Sequence, residues 1–136
     1  MTFRHPIVIR FGDADPAGIA YYPRIVEICH QAFEEFFEDA TGLRYAVAFV
    51  QDAIGFPTVA LEAEFRAPMK LGDAVVVEVD VLAVGKRSVT FEYRFVGADG
   101  GLRARVKNVT VAVDRERFRS VDLPAAWAAA FRARVR

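Results

Sequence analysis

The chain of 136 residues is poor in the groups that most often carry protein chemistry. It holds one cysteine, Cys29, so no disulfide can form within it. Its two histidines, His5 and His30, lack clustered partners, which leaves a metal site unsupported. Glycine-rich phosphate loops are missing, and so is the GxSxG turn of serine hydrolases. No apolar run approaches the roughly 20 residues needed to span a bilayer. The N-terminal stretch MTFRHPIVIRF contains no signal-like apolar region. Charge of one sign is not in excess either. The 18 Lys and Arg balance the 18 Asp and Glu, so no overall field draws nucleic acid. These absences lead to the expectation of a cytoplasmic protein with no metal, no membrane and no nucleic-acid partner.

What the sequence has is core material. It is 54% hydrophobic and 12% aromatic, enough for a single domain over 1–136. Residues 5–11 alternate and include β-branched types, predicting a short strand. From Pro23 to Thr41 the period changes to three or four. Ile25, Cys29, Ala32, Phe36 and Ala40 form a stripe that Ile28, Phe33 and Phe37 widen. Pro23 suits a first helical turn and Gly42 a C-terminal cap. The predicted helix is roughly 27 Å long. It is the only long helix expected before the C-terminus.

The remainder predicts strands. TVALEAEFRA alternates, with Val59, Leu61, Ala63 and Phe65 on one face. DAVVVEVDVLAVG, RSVTFEYRFVG and LRARVKNVTVAVD follow, with a hairpin signal at ADGG, residues 98–101. A short Ala-rich helix begins near Pro124. The fold class expected is α+β: a curved antiparallel sheet of about five strands wrapped around one long central helix. Uncovered edges and an incompletely covered face predict self-association.

Chemistry concentrates in FGDADPAGIAYYPRI, residues 11–25. The helix start there offers no Ser, Thr, Asn or Asp as a cap, so its backbone N–H groups stay available for a ligand. Such a terminus can polarise a carbonyl and stabilise an oxyanion. Asp15 lies in the loop just before it. An aspartate, with an ordinary pKa near 3.9, is ionised at neutral pH and is a weak base. A carboxylate without an acid partner suits a thioester, because a thiol of pKa near 8.5 departs as thiolate unaided. It does not suit an amide. By residue type alone, Asp13 and Asp15 equally fit Asx turns, and Tyr21, Tyr22, Cys29 and the phenylalanines fit packing.

The segment FGDADPAGIAYYP resembles the active-site segment of the 4-hydroxybenzoyl-CoA thioesterase family, which has the hotdog fold. The similarity continues weakly through FRAPMKLGD, GKRSVTFEY and RFRSVDLP. The resemblance implies an acyl-CoA thioester hydrolase acting on aromatic or short-chain acyl groups. It implies Asp15 as catalytic nucleophile or general base, and Tyr22 as the residue whose backbone N–H polarises the carbonyl. It implies Gly55 at the reacting end, and Lys86 and Arg87 as cations for the CoA phosphates, with Arg117 and Arg119 as further candidates. His30 stands where the resembled enzyme uses a carboxylate to recognise its substrate's hydroxyl, so a different acyl group is open. No cofactor is implied, coenzyme A being part of the substrate. Family members assemble as dimers of dimers, so a homodimer or homotetramer is expected. Two other readings remain at this stage. One is a non-catalytic module binding acyl-CoA or an acyl carrier protein. The other is a hotdog hydratase or dehydratase, which the lack of a histidine shortly after Asp15 disfavours.

Overall fold

The computed structural model describes residues 2–136. The chain runs β1 (Phe3–Val8), α1 (Tyr22–Thr41), α2 (Tyr45–Gln51), β2 (Ile54–Gly55), β3 (Thr58–Phe65), β4 (Ala74–Val84), β5 (Ser88–Gly97), β6 (Leu102–Val111), β7 (Val113–Asp114), β8 (Arg119–Ser120) and α3 (Ala125–Arg132). Five strands form one antiparallel sheet in the order β1-β4-β5-β6-β3, and β2, β7 and β8 form a small second sheet. The expected hotdog arrangement of one sheet around one long helix is present. The chain adds α2, a seven-residue helix that its sequence did not announce.

The sheet has one dry face. Val75, Val77, Val79 and Val81 on β4 alternate inward, as do Val89, Phe91, Tyr93 and Phe95 on β5, and all eight are buried. α1 lies across them with Ile25, Ile28, Cys29, Ala32, Phe33, Phe36 and Phe37 buried. The rings interlock: Phe33 and Phe36 meet Phe91 edge-on at 5.4 and 5.6 Å, and Phe37 meets Trp127 of α3 at 5.1 Å. α1 stops where Gly42 takes φ +77° and returns its N–H to Glu38. A left-handed residue there favours glycine.

The convex face is ionic. Asp80 is fully buried and accepts from Thr2, Arg94 and Arg136 at 2.7, 3.0 and 3.1 Å. Its neighbour Glu92 accepts from Arg105 and Arg136 at 2.8 and 2.9 Å. Burial pushes the Glu92 carboxyl up, but the two arginines outweigh it, so its pKa ends below the ordinary glutamate value. A carboxyl depressed in the folded state contributes stability above its unfolded pKa and loses it as pH falls through the folded value. Glu92→Gln should therefore cost about 1.5–3 kcal/mol at neutral pH. It should also flatten the wild type's loss of stability below the ordinary glutamate range, as read by denaturant titrations across pH.

Candidate active site

The loop before α1 is a tight turn pinned to the body of the protein. Asp15 O accepts from Gly18 N–H at 2.9 Å, and Asp15 N–H donates to Ile19 O at 2.9 Å. Gly18 has φ +79°, which closes the turn, and Pro16 sits at its first corner. Ala20 N–H donates to Met69 O and Leu71 N–H to Gly18 O, tying the loop to the segment leading into β4. Asp13 is structural: it accepts from Arg10 N–H at 3.0 Å and pairs with Arg24 Nη2 at 3.0 Å.

Asp15 is both a turn residue and a candidate reagent. Its Oδ1 accepts Ala17 N–H at 2.9 Å and lies 3.5 Å from Ile19 N. Its Oδ2 has no hydrogen-bond partner among the described residues. The half-buried carboxylate lines an apolar cleft of about 830 Å³ together with Ile19, Tyr22, Ile25, Phe65 and Met69. A cleft of this size falls within the range of small-ligand sites.

Tyr22 opens α1 at the same cleft. The N-cap Tyr21 makes no side-chain cap, Pro23 has no N–H, and the N–H groups of Arg24 and Ile25 both return to Tyr21 O. This leaves the Tyr22 N–H as the first-turn donor with no acceptor among the described residues. A carboxylate oxygen and a helix-terminal donor thus share one apolar cleft. That pairing can attack a carbonyl carbon while holding the carbonyl oxygen.

The other predicted residues lie elsewhere. His30 is two turns farther along α1, about 12 Å from Tyr22 by helical rise. It packs on Phe33 and Tyr45, lies 3.8 Å from Glu34, and faces a separate cleft with Gly55. Gly55 has a packing reason, because a Cβ there would come within 3.2 Å of the Phe49 ring. Lys86 and Arg87 form the β4–β5 turn, where both pair with Asp122, at 3.8 and 2.9 Å. The eleven residues of β4 separate them from the Asp15 end by a contour of about 36 Å. One chain therefore does not bring these cations to its own Asp15.

Two groups were not singled out in the sequence. Arg66 and Arg103 line the Asp15 cleft, each held by an acid, Glu64 and Asp99 respectively. Arg66 sits in the FRAP stretch directly after β3, where an edge strand ends. Asn108 lies inside β6 and faces α1. An amide side chain in a strand interior is unusual, and that was the available signal. Cys29 is no nucleophile, since burial pushes its thiol pKa up. Among the described residues no group of three His, Cys, Asp or Glu is placed to hold a metal, and no helix is long and apolar enough to cross a membrane.

Known proteins share this architecture and part of this sequence. A 1,4-dihydroxy-2-naphthoyl-CoA hydrolase from Nostoc punctiforme is 32% identical over 94 residues, covering 68% of this chain and 63% of that protein. The solved structure of a gentisyl-coenzyme A thioesterase is 25% identical with TM-score 0.85, covering 95% of this chain and 99% of that one. A mutant 4-hydroxybenzoyl CoA thioesterase solved with 4-hydroxybenzoyl CoA matches in fold, at 24% identity and TM-score 0.85 over 95% of this chain and 97% of its own. The sequence pattern of the Thioesterase-like superfamily matches residues 9–131, and the chain belongs to that superfamily.

Proposed function

We propose that the chain hydrolyses aromatic acyl-CoA thioesters to the free acid and coenzyme A. The observation that carries this reading is the pairing of Asp15 Oδ2 with the unspent Tyr22 N–H in one apolar cleft. The names of the similar proteins, a dihydroxynaphthoyl-CoA hydrolase and a gentisyl-coenzyme A thioesterase, support an aromatic acyl group.

In this reading the thioester oxygen rests on the Tyr22 N–H. Asp15 Oδ2 attacks the carbonyl carbon, negative charge gathers on the oxygen, and the C–S bond breaks to release the thiolate. The resulting anhydride is then opened by water, which restores Asp15 and frees the acid. A general-base route differs in one respect: Asp15 takes a proton from the attacking water. The anchored Oδ1 keeps the carboxylate in place for either role. No cofactor or metal enters the reaction.

The phosphates of CoA need cations that Lys86 and Arg87 cannot supply to their own chain's Asp15. A second copy can supply them. The β3 edge favours such a copy, since Val59, Leu61 and Phe65 are 63%, 48% and 50% exposed on a strand that pairs only with β6. The working enzyme in this reading is a homodimer or homotetramer with sites between subunits, in a cytoplasm that keeps Cys29 reduced.

Release of free thiol from benzoyl-CoA, followed with a thiol reagent, tests hydrolysis directly and separates it from mere binding. Asp15→Asn should lower kcat by at least about 100-fold with little change in the melting temperature. A single turnover in isotopically labelled water should leave label in the Asp15 carboxylate when water opens the anhydride at the aspartyl carbon, and label there assigns Asp15 the nucleophile's role. Trapping of an acylated Asp15 with hydroxylamine covers opening at the acyl carbon, and absence of both signals assigns the general-base role. Leu61→Arg on the β3 edge should yield a smaller species by analytical ultracentrifugation and lose at least about 10-fold in kcat/KM.

A further inference from the structure

The segment from Asp13 to Tyr21 is one small hairpin. Asp15 N–H donates to Ile19 O at 2.9 Å, Ala14 bridges Ala20, and Tyr21 N–H donates to Asp13 O at 2.9 Å. Asp13 therefore closes the base of the hairpin. From it one arm reaches Asp15 two residues on, and the other arm runs directly into Tyr22. The Asp13 side chain is spent on the same join. Its Oδ2 accepts from Arg10 N–H and its Oδ1 from Arg24 Nη2, both at 3.0 Å. Arg24 belongs to the first turn of α1. One residue thus grips both the position before Tyr22 and the turn after it.

Arg24 stands against a local rule. A helix N-terminus carries partial positive charge and disfavours a cation. The first turn of α1 contains no acid to balance it. The guanidinium turns to Asp13 and Glu27, while its Nε is shut from water and donates to nothing among the described residues. A side chain free to swing outward would avoid both penalties, and the bond to Asp13 keeps it in place.

The rings that pin α1 begin at Phe33, about 16 Å beyond Tyr22 by helical rise. Helix ends fray, and the exposed Tyr21 and Tyr22 side chains grip little. The first turn needs a hold of its own. Neither Asp13 nor Arg24 lines the Asp15 cleft; both face a separate depression between β1 and α1, with Ile7 and Ile28. They act on the reaction only through what they hold in place.

We propose that Asp13 is the positioning residue of this site: through the hairpin base and Arg24 it fixes the Tyr22 N–H relative to Asp15. The proposal rests on the thioesterase reading above. A reacting group displaced by about 1 Å can cost on the order of 100-fold in rate, so a grip on one helical turn matters to catalysis.

Asp13→Asn keeps the backbone acceptor for Tyr21 and an oxygen for Arg10, and removes the charge that grips Arg24. It should lower kcat for the best aryl-CoA substrate at least about 10-fold and leave KM within about 2-fold. Arg24→Gln should do the same. The double variant should lose about 10-fold rather than about 100-fold, because both substitutions remove one contact. A purely electrostatic role predicts otherwise: Asp13→Asn would leave the Arg24 charge unopposed near the carbonyl oxygen and raise kcat. Amide hydrogen exchange gives a readout without substrate. Tyr21 and Ile25 should exchange at least about 10-fold faster in both single variants, with Phe33 and Phe36 unchanged. Single variants that keep or raise kcat, a loss confined to KM, or losses that multiply in the double variant overturn the proposal. So does exchange that is unchanged in the first turn or faster along the whole helix. Loosening confined to the first turn, in a protein that releases no thiol from any aryl-CoA, upholds the grip of Asp13 and refutes hydrolysis instead.

Discussion

Phe33, Phe36 and Phe37 wedge α1 between the concave sheet and α3, and that contact sets where the helix begins. A helix fixed on aromatic rings cannot slide by a residue without pulling several of them out of register. Its first turn is thereby held against the segment before β4, where Ala20 and Leu71 tie the two chain segments together. This packing keeps the Tyr22 end of the helix in the cleft that Asp15 also lines. Fold stability and site geometry are in this sense one property, seen from opposite ends of the same helix.

Asp15 shows how a turn residue can keep one oxygen free for a ligand. An Asx turn takes one side-chain oxygen, here the Oδ1 that accepts from Ala17 N–H. The backbone N–H of Ala17 orients the carboxylate as a hydrogen-bonded orienting partner would in other hydrolases, and needs no further side chain to do so. The other oxygen is left to the cleft. Asp13, two residues earlier, has both oxygens engaged, which separates the two acids that the sequence presents as near equals.

The architecture was largely legible in the sequence. The three-to-four period of apolar residues marks α1 to within a residue at its start, and Gly42 marks its end. The alternation of β4 and β5 marks their dry face. α2 was not legible, because YAVAFVQ is short and apolar throughout, a pattern that fits strand and helix alike. The site was legible only in its local part. Asp15 and Tyr22 are seven positions apart and line one cleft. Lys86 and Arg87 belong to the opposite end of the sheet, and their separation from Asp15 follows from strand order, which spacing along the chain does not encode. Asn108 faces the helix because of register with Phe91, another long-range fact.

Pro23 has a further effect. By removing an N–H from the first turn of α1 it leaves a lone donor where many acyl-transfer sites supply a pair. Removing one such donor from an enzyme that uses several costs roughly 100- to 1,000-fold in rate. A site built with one is correspondingly modest in power. It suits a bond that is already weak, and it is poorly equipped for oxygen esters and peptide links, whose leaving groups need more help. Selectivity of this kind follows from the count of donors alone, without any gate or inhibitor.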